Sequence, residues 1–531
     1  MTGAGPTAMK RRDLFGMIGK AAGGAMLYQA MASLGHAAES HFTGPPKLDG
    51  NVKGAKVLVL GAGMAGLVAA YELRKAGYKV KVLDYNDRVG GRSWTLRGGD
   101  VYTELGGHTQ HCGFDPGLYI NPGPWRLPYH HYAMLSYCQQ FGVELEPFTQ
   151  VNYNAYLHSP EAFDGKPQRY RTIAADYWGG IAELLAKATN QGKLDDAVSV
   201  EDREILLESL KSFGALDKNY AYRAGPESAN QRGYDIEPGG GLMPLEKPSQ
   251  PLKSSDVLKS RLWNRLAVAN SYEFQTPLFQ PVGGMDMLAK AMGRELKDII
   301  RLNSKVTAIM QNDSGVTVTY EDTKKGGAAM TEQADWCVCT IPLSVLSQIK
   351  KNVSPSMDAA INAVPYAGMV KVGLQFKRRF WEQDEQIYGG ITYTDLPIAT
   401  IAYPNSRYFK PGKGVLLGAY MYGPHAYEFA SMTPEDRVKK TLEYGAQIHP
   451  QYHQEFDNGM AVVWQRAPWI MGCFGLWTEA NREKHYNDLC QIDGRMVLAG
   501  EHASYIPAWQ EGAVLSSLDA ISRLHKRVVQ A

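Results

Sequence analysis

The stretch Ala55–Arg92, AKVLVLGAGMAGLVAAYELRKAGYKVKVLDYNDRVGGR, limits the fold more than any other part of the chain. Val57–Leu60 is a short apolar run that predicts a buried strand. Gly61-Ala62-Gly63-Met64-Ala65-Gly66 follows at once, and the spacing of Ala69, Ala70 and Leu73 predicts a helix that Gly77 stops. Lys79–Leu83 reads as a second strand, ending at Asp84. The three motif glycines have separate uses: Gly61 makes the turn, Gly63 lets backbone N–H groups reach a pyrophosphate, and Gly66 lets helix and strand pack closely. The helix N-terminus, at Met64 and Ala65, then faces phosphates. Asp84 is placed to accept from a ribose hydroxyl. The expectation is an α/β chain with a Rossmann-like dinucleotide-binding domain.

The chain has 531 residues, more than one ordinary core accommodates, so two or three domains are expected. A net charge of +2 with no block of like charges gives no footprint for nucleic acid. The six cysteines (Cys112, Cys138, Cys337, Cys339, Cys473 and Cys490) form no CxxC pair, which argues against a disulfide scaffold and a zinc site, and no metal is expected. The N-terminus is basic, with the pair Arg11-Arg12, then a mildly apolar stretch from Phe15, Met17 and Ile18 to Gly35-His36-Ala37-Ala38. Residues 1–38 read as a Tat-like signal peptide, and so as a periplasmic or secreted protein. The competing reading is a retained amphipathic N-terminal helix in a cytoplasmic protein. No later run reaches the ~18 apolar residues of a spanning helix, so no integral membrane anchor is expected.

From about Leu157 the pattern turns helical, with GGIAELLAKA and VSVEDREILLESLKSFGAL broken by Gly/Pro-rich loops near Glu237–Lys247. Phe279–Asp322 predicts a helix and a hairpin around Asp313-Ser314-Gly315, and ADWCVCTIP predicts another buried strand. Val370–Trp381 alternates like a sheet strand. Gly494–His502 predicts a last buried strand, with a helix over Gly512–Val529. The domains expected are a discontinuous dinucleotide-binding domain (55–92, 279–363 and 488–531), a mixed-sheet substrate domain (93–156 and 364–487) and a helical insert (157–278).

The run VLGAGMAGLVAAYEL…VKVLDYNDRVGGRSWT is similar to the FAD-binding segment of the flavin amine oxidase family. MVLAGEH followed by WQEGAVLSSLDAI resembles that family's closing FAD motif. The resemblance implies FAD as cofactor, with Gly91 and Arg92 near its phosphates, Glu501 near the ribityl-phosphate region and Ala513 in the closing motif. It places the backbone of Val306 at the adenine, and Gly123 and Trp464 beside the flavin. KVGLQFKRRFW resembles the strand whose lysine, here Lys371, holds a water against flavin N5. Phe474 and Trp509 fall where the family builds an aromatic cage around the substrate nitrogen, and Trp477 is expected to shape the side-chain pocket. Cys473 sits in the slot that carries a covalent flavin thioether in monoamine oxidases. Amino acid oxidases of the family hold FAD non-covalently, and that is the expectation here.

NPGPWRLPYHH (Asn121–His131) presents an arginine between proline-stiffened turns. GPWRLP resembles the segment of L-amino acid oxidases whose arginine clamps the substrate α-carboxylate, which implies that role for Arg126, with Tyr420 of GAYMYG as its phenolic helper. The implied reaction is oxidation of an L-amino acid by hydride transfer from Cα to flavin N5. Hydrolysis to a 2-oxo acid and ammonia and reoxidation by O2 to hydrogen peroxide complete it. A flavin oxidase of amines or polyamines, a monooxygenase giving an amide, and a non-catalytic FAD-binding protein are the alternatives. The partners expected are a small-molecule L-amino acid and O2, with homodimer formation as a further expectation.

Overall fold

The computed structural model describes residues 40, 42–194 and 198–530; the expected signal segment 1–38 lies outside them. The chain opens with strand β1 (Lys56–Leu60), helix α1 (Met64–Lys75) and strand β2 (Lys79–Leu83). Four of the five β1 residues are buried, as the apolar run requires of a strand covered on both faces. Gly77 has φ +92°, a conformation that ends the helix and that other residues resist. Later come helix α2 (Tyr132–Gln140), long helices α3 (Tyr170–Asn190) and α4 (Val200–Phe213), and the hairpin β3 (Ser304–Asn312) and β4 (Gly315–Asp322). The remaining principal elements are β5 (Trp336–Cys339), β6 (Met369–Phe376), β7 (Gly414–Tyr422), β8 (Phe456–Val463), β9 (Met496–Leu498) and α5 (Gln510–Gln530).

Two sheets organise these elements. The first runs Ile300–Arg301, β2, β1, β5, β9 and Ile492–Asp493, parallel except for its last strand. Helices α1 and α5 share an apolar cluster on one of its faces, where Leu67, Val68 and Leu73 meet Val514, Ile521 and Leu524. The second sheet has seven strands, with β7, β6 and β8 as antiparallel neighbours at one end. A small three-stranded sheet pairs Leu127–Pro128 and Leu145–Pro147 with Leu278–Pro281.

Two expectations change. The strand read over Val370–Trp381 ends at Phe376, and Phe380–Gln383 is a helical turn. All eight β6 residues are buried, so neither face of the strand meets solvent. Lys371 and Gln375 face inward with hydrogen-bond partners instead. The helical stretch starts at Tyr170, because Tyr156–His158 and Gln168–Arg169 pair into the seven-stranded sheet. Within it, Ala182, Ala186, Leu207, Leu210 and Leu216 form a core of their own.

Candidate active site

A cavity of about 170 Å³ runs from the Gly61–Gly66 turn to an aromatic end between the two large sheets. At the turn, Gly61 has φ +107°, and its N–H donates to Leu83 O at 2.8 Å. Asp84 holds the turn from below. Its Oδ2 accepts from the Ala62 N–H at 2.5 Å and its Oδ1 from the Asn86 N–H at 2.7 Å. Burial pushes its carboxyl upward against those bonds. Gly66 is not on the cavity wall; a Cβ there would collide with Gly61 O, so glycine is what lets α1 lie against β1. Met64 and Ala65 present the N-terminus of α1 to the cavity. Gly63 and Gly91 come together as the Gly90–Arg92 bend crosses the turn, and Gly91 has φ +56°.

Arg92 and Glu501 meet on the wall at 2.8 Å, and Arg92 Nη1 also donates to Cys473 O at 2.6 Å. The positive group expected at the phosphates therefore has a carboxylate neighbour. Val306 lines the same end as Asp84, while Ala513 lies on the first turn of α5. Gly123 is required by contact, since a Cβ would collide with Arg92 O. Trp464 is buried against this loop, its Nε1 donating to Pro122 O at 2.7 Å.

The aromatic end holds Arg126, Tyr420, Phe474 and Trp509 on one wall system. Leu127 and Pro128 pair with Phe279 and Leu278, which fixes the backbone beside Arg126. Arg126 is 8% exposed, and its guanidinium lies 4.4 Å from the Phe274 ring, with Trp125, Phe148 and Trp509 at 5.1–5.8 Å. Among the described residues no carboxylate stands within ion-pair distance of it, although the buried Glu273, whose Oε2 has no hydrogen-bond partner, feels its charge; the Arg126 Nε has no hydrogen-bond partner either. A cation so placed is ready for an anion, because Arg binds carboxylates with a planar fork.

Two predicted residues sit elsewhere. Trp477 does not line the cavity: it packs in the core behind it, with Nε1 donating to His502 O at 2.8 Å and Arg482 over its ring. Lys371 is behind the wall rather than on it. Its Nζ donates to Gly123 O at 2.6 Å and Asn121 O at 3.2 Å, above the Tyr420 ring at 4.3 Å. Burial lowers its pKa to about 7. The Cys473 thiol does line the cavity, and burial pushes it up to about 12, so it is protonated and poorly nucleophilic.

Several wall residues were missed in the sequence. Tyr422 hydrogen-bonds Tyr420 through the hydroxyls and shares its strand face two positions on, a period-2 signal present in GAYMYG. Trp125 lines the cavity beside Arg126. His131 also lines it, 4.9 Å edge-on from Trp509, and burial holds its pKa well below the usual imidazole value.

The family described as flavin containing amine oxidoreductase matches residues 64–524, from the first turn of α1 to α5. The chain belongs to this family. Among its relatives, L-amino-acid oxidase of Vipera ammodytes ammodytes is 28% identical over 473 residues, covering 87% of this chain and 91% of the relative. L-amino-acid oxidase of Siganus canaliculatus is 26% identical, with 89% and 86% covered. Solved structures share the fold: cyclohexylamine oxidase from Brevibacterium oxydans IH-35A at TM-score 0.59 and 17% identity, covering 89% of this chain and 99% of that one. Putrescine oxidase bound to putrescine matches at TM-score 0.57 and 19% identity, covering 90% and 99%. Membership of the flavin amine oxidoreductases implies a flavin cofactor, and the cavity fits one. Gly63 lines the cavity with open space where a side chain would stand, and the Gln510 Oε1 on the wall is buried without a hydrogen-bond partner.

Proposed function

We propose that this protein is an FAD-dependent L-amino acid oxidase, forming a 2-oxo acid, ammonia and hydrogen peroxide. The observation that carries the reading is Arg126, a buried cation ringed by aromatic side chains with no carboxylate in ion-pair contact; burial pushes the nearby Glu273 carboxyl up to about 7, which leaves it a weak counter-charge. An amine substrate brings only a cation, which such a site repels. An amino acid brings the anion that a buried cation needs.

The Gly61–Gly66 turn, Asp84, Gly91, Arg92, Val306, Glu501 and Ala513 would hold the dinucleotide, and Trp464 and Gly123 the ring. Bound there without a covalent link, FAD supplies the redox chemistry, taking two electrons and passing them to dioxygen. The protonated Cys473 thiol supports the non-covalent reading. Arg126 orients the α-carboxylate, and the Tyr420–Tyr422 hydroxyl pair gives it a neutral hydrogen-bonding neighbour. Phe474 and Trp509 close over the α-carbon and exclude water from the imine being formed. The α-amine must be neutral when oxidised, and the wall near Trp509 offers the uncharged His131 ring rather than a second cation. Lys371, tied to the loop carbonyls behind Tyr420, supplies a positive charge where reduced oxygen species develop negative charge.

Product analysis tests the reading. The holoenzyme incubated with a panel of L-amino acids is expected to release peroxide and a 2-oxo acid in equal amounts. Release of an amide instead identifies a monooxygenase, and turnover of amines alone identifies an amine oxidase.

A further inference from the structure

Arg126 shares its surroundings with a buried carboxyl that the reaction above does not use. Glu273 is 2% exposed, and its Oε2 has no hydrogen-bond partner among the described residues. It sits in the middle of a short helical turn, Tyr272–Phe274. Both its neighbours hold that turn against the arginine loop. The Tyr272 ring stacks on His130 at 4.1 Å, and the Phe274 ring lies 4.4 Å from the Arg126 guanidinium. Phe274 also meets Trp509 of the cavity wall at 6.2 Å. Glu273 and Arg126 feel each other's charge from beyond ion-pair distance.

The other titratable groups around the turn are engaged or neutral. On the arginine loop, Tyr129 packs edge-on against Tyr272 at 6.2 Å, His130 is stacked on that ring, and burial keeps His131 uncharged. Arg265, on the preceding turn Leu262–Asn270, pairs with Asp395 at 3.0 Å. The Tyr393 hydroxyl accepts from Gln150 at 2.9 Å, and burial keeps it protonated. Lys371 reaches the Trp125 ring that Arg126 also approaches, each at 5.1 Å. One guanidinium then faces two carboxylates in turn, its own Glu273 and that of the substrate. With the site empty, an ionised Glu273 offsets Arg126. With a substrate carboxylate docked, an ionised Glu273 would be a second buried anion beside one cation, and its Oε2 has no donor to stabilise the charge.

We propose that Glu273 is the exchangeable counter-charge of Arg126: it offsets the guanidinium while the site is empty and takes up one proton from solvent when a carboxylate docks there. Glu273 is a positioning residue that acts through Arg126, and the inference rests on the carboxylate reading of that arginine. Burial pushes the Glu273 carboxyl up to about 7, with Arg126 opposing the rise. Below that pH it is already protonated and docking moves no proton. Above it each docking event must take one, so affinity falls as pH rises. The probes are 3-phenylpropanoate and 4-methylpentanoate, which carry a carboxylate and no α-amine and so bind without turnover. Binding to holoenzyme is read from the change in flavin absorbance. The apparent Kd is expected to be level below about pH 7 and to rise about tenfold per pH unit above it. With a pH indicator in weak buffer, docking is expected to take up nearly one proton per flavin at about pH 8 and almost none at about pH 6. Lys371 also titrates near pH 7, so the variants are compared in Lys371→Met. Lys371→Met alone is expected to keep both the slope and the proton. Adding Glu273→Gln is expected to hold the Kd at its tight level from about pH 6 to about pH 9 and to abolish the uptake. A slope or an uptake that survives Glu273→Gln would overturn the proposal. Wild-type docking at about pH 8 without proton uptake would overturn it with no variant needed. Failure of both probes to bind at any pH would overturn the carboxylate reading of Arg126 and this proposal together.

Discussion

Arg126 and Lys371 are both buried cations, and the structure treats them differently. Arg126 has rings around it and no carboxylate in ion-pair contact, so truncation is expected to cost binding rather than fold. Arg126→Ala should lower kcat/KM for amino acids by about a hundredfold to a thousandfold, equivalent to about 3–4 kcal/mol, as for a buried charge left without its partner. Arg126→Lys should rescue little, because a point charge does not reproduce the fork. Steady-state kinetics on both variants check this, with flavin content as the control for folding. Lys371 is held by backbone carbonyls and has a pKa brought down to about 7. A lysine lowered this far is cationic below pH 7 and neutral above it. Reoxidation of reduced flavin should accordingly speed up as pH falls through about 7, and Lys371→Met should flatten the profile at the slower level; stopped-flow reoxidation across pH reads it. At this scale the sequence was legible where a residue's neighbours in sequence are also its neighbours in space. Arg126 sits among Pro122, Gly123 and Pro124 and stands out. Trp477 looked the same as Phe474 in the string, yet its indole turns to the His502 carbonyl, an orientation set by the core behind it.

The β1–α1–β2 unit was legible almost to the residue because each of its signals is local: an apolar run, a glycine turn, a helical stripe, a glycine stop. The β3–β4 hairpin was legible for the same reason, with Asn312 paired to Gly315 across a two-residue turn. Strand β6 was legible as a strand, but the burial of both its faces was not. Gln375 is fully buried, bonded to Asp115 and Asp457, and Lys371 to loop carbonyls, partners hundreds or tens of residues away that no local pattern reports. Packing of one element on another gives the prediction here. Gly66→Ala drives a methyl into the Gly61 carbonyl and must lift α1 from β1 or deform the turn. The variant is expected to be purified with little flavin, measured by the ratio of visible to ultraviolet absorbance, while Gly240→Ala, which meets nothing nearby, serves as the handling control.

Across the whole molecule, the site is assembled from chain segments far apart. The turn comes from near residue 61, the buried guanidinium from 126, the lysine behind the wall from 371, and the closing wall from 501–513. Glu104 and Arg437 join such distant segments, both with fully buried side chains and two bonds of 2.7 and 2.9 Å between them. Glu104→Ala leaves that guanidinium unpaired and should lower stability by about 3–5 kcal/mol, whereas Glu104→Leu with Arg437→Met should recover much of the loss. Thermal unfolding of the three proteins tests it. The helical stretch from Tyr170 onward was the least legible part of the plan, because it carries its own small core and reaches the site mainly through Phe274, whose contact with Arg126 no sequence spacing announces. The central claim is that this assembly reads a carboxylate. The direct measurement is kcat/KM for matched pairs that differ only in that group: L-phenylalanine against phenethylamine, L-leucine against isoamylamine, L-lysine against cadaverine. The account predicts that the carboxylate-bearing member of the preferred pair wins by at least about a hundredfold, the scale expected when a buried polar group is left unpaired by the analogue. Arg126→Ala should then erase most of that margin. An amine used as well as, or better than, its amino acid by the wild-type enzyme would contradict it.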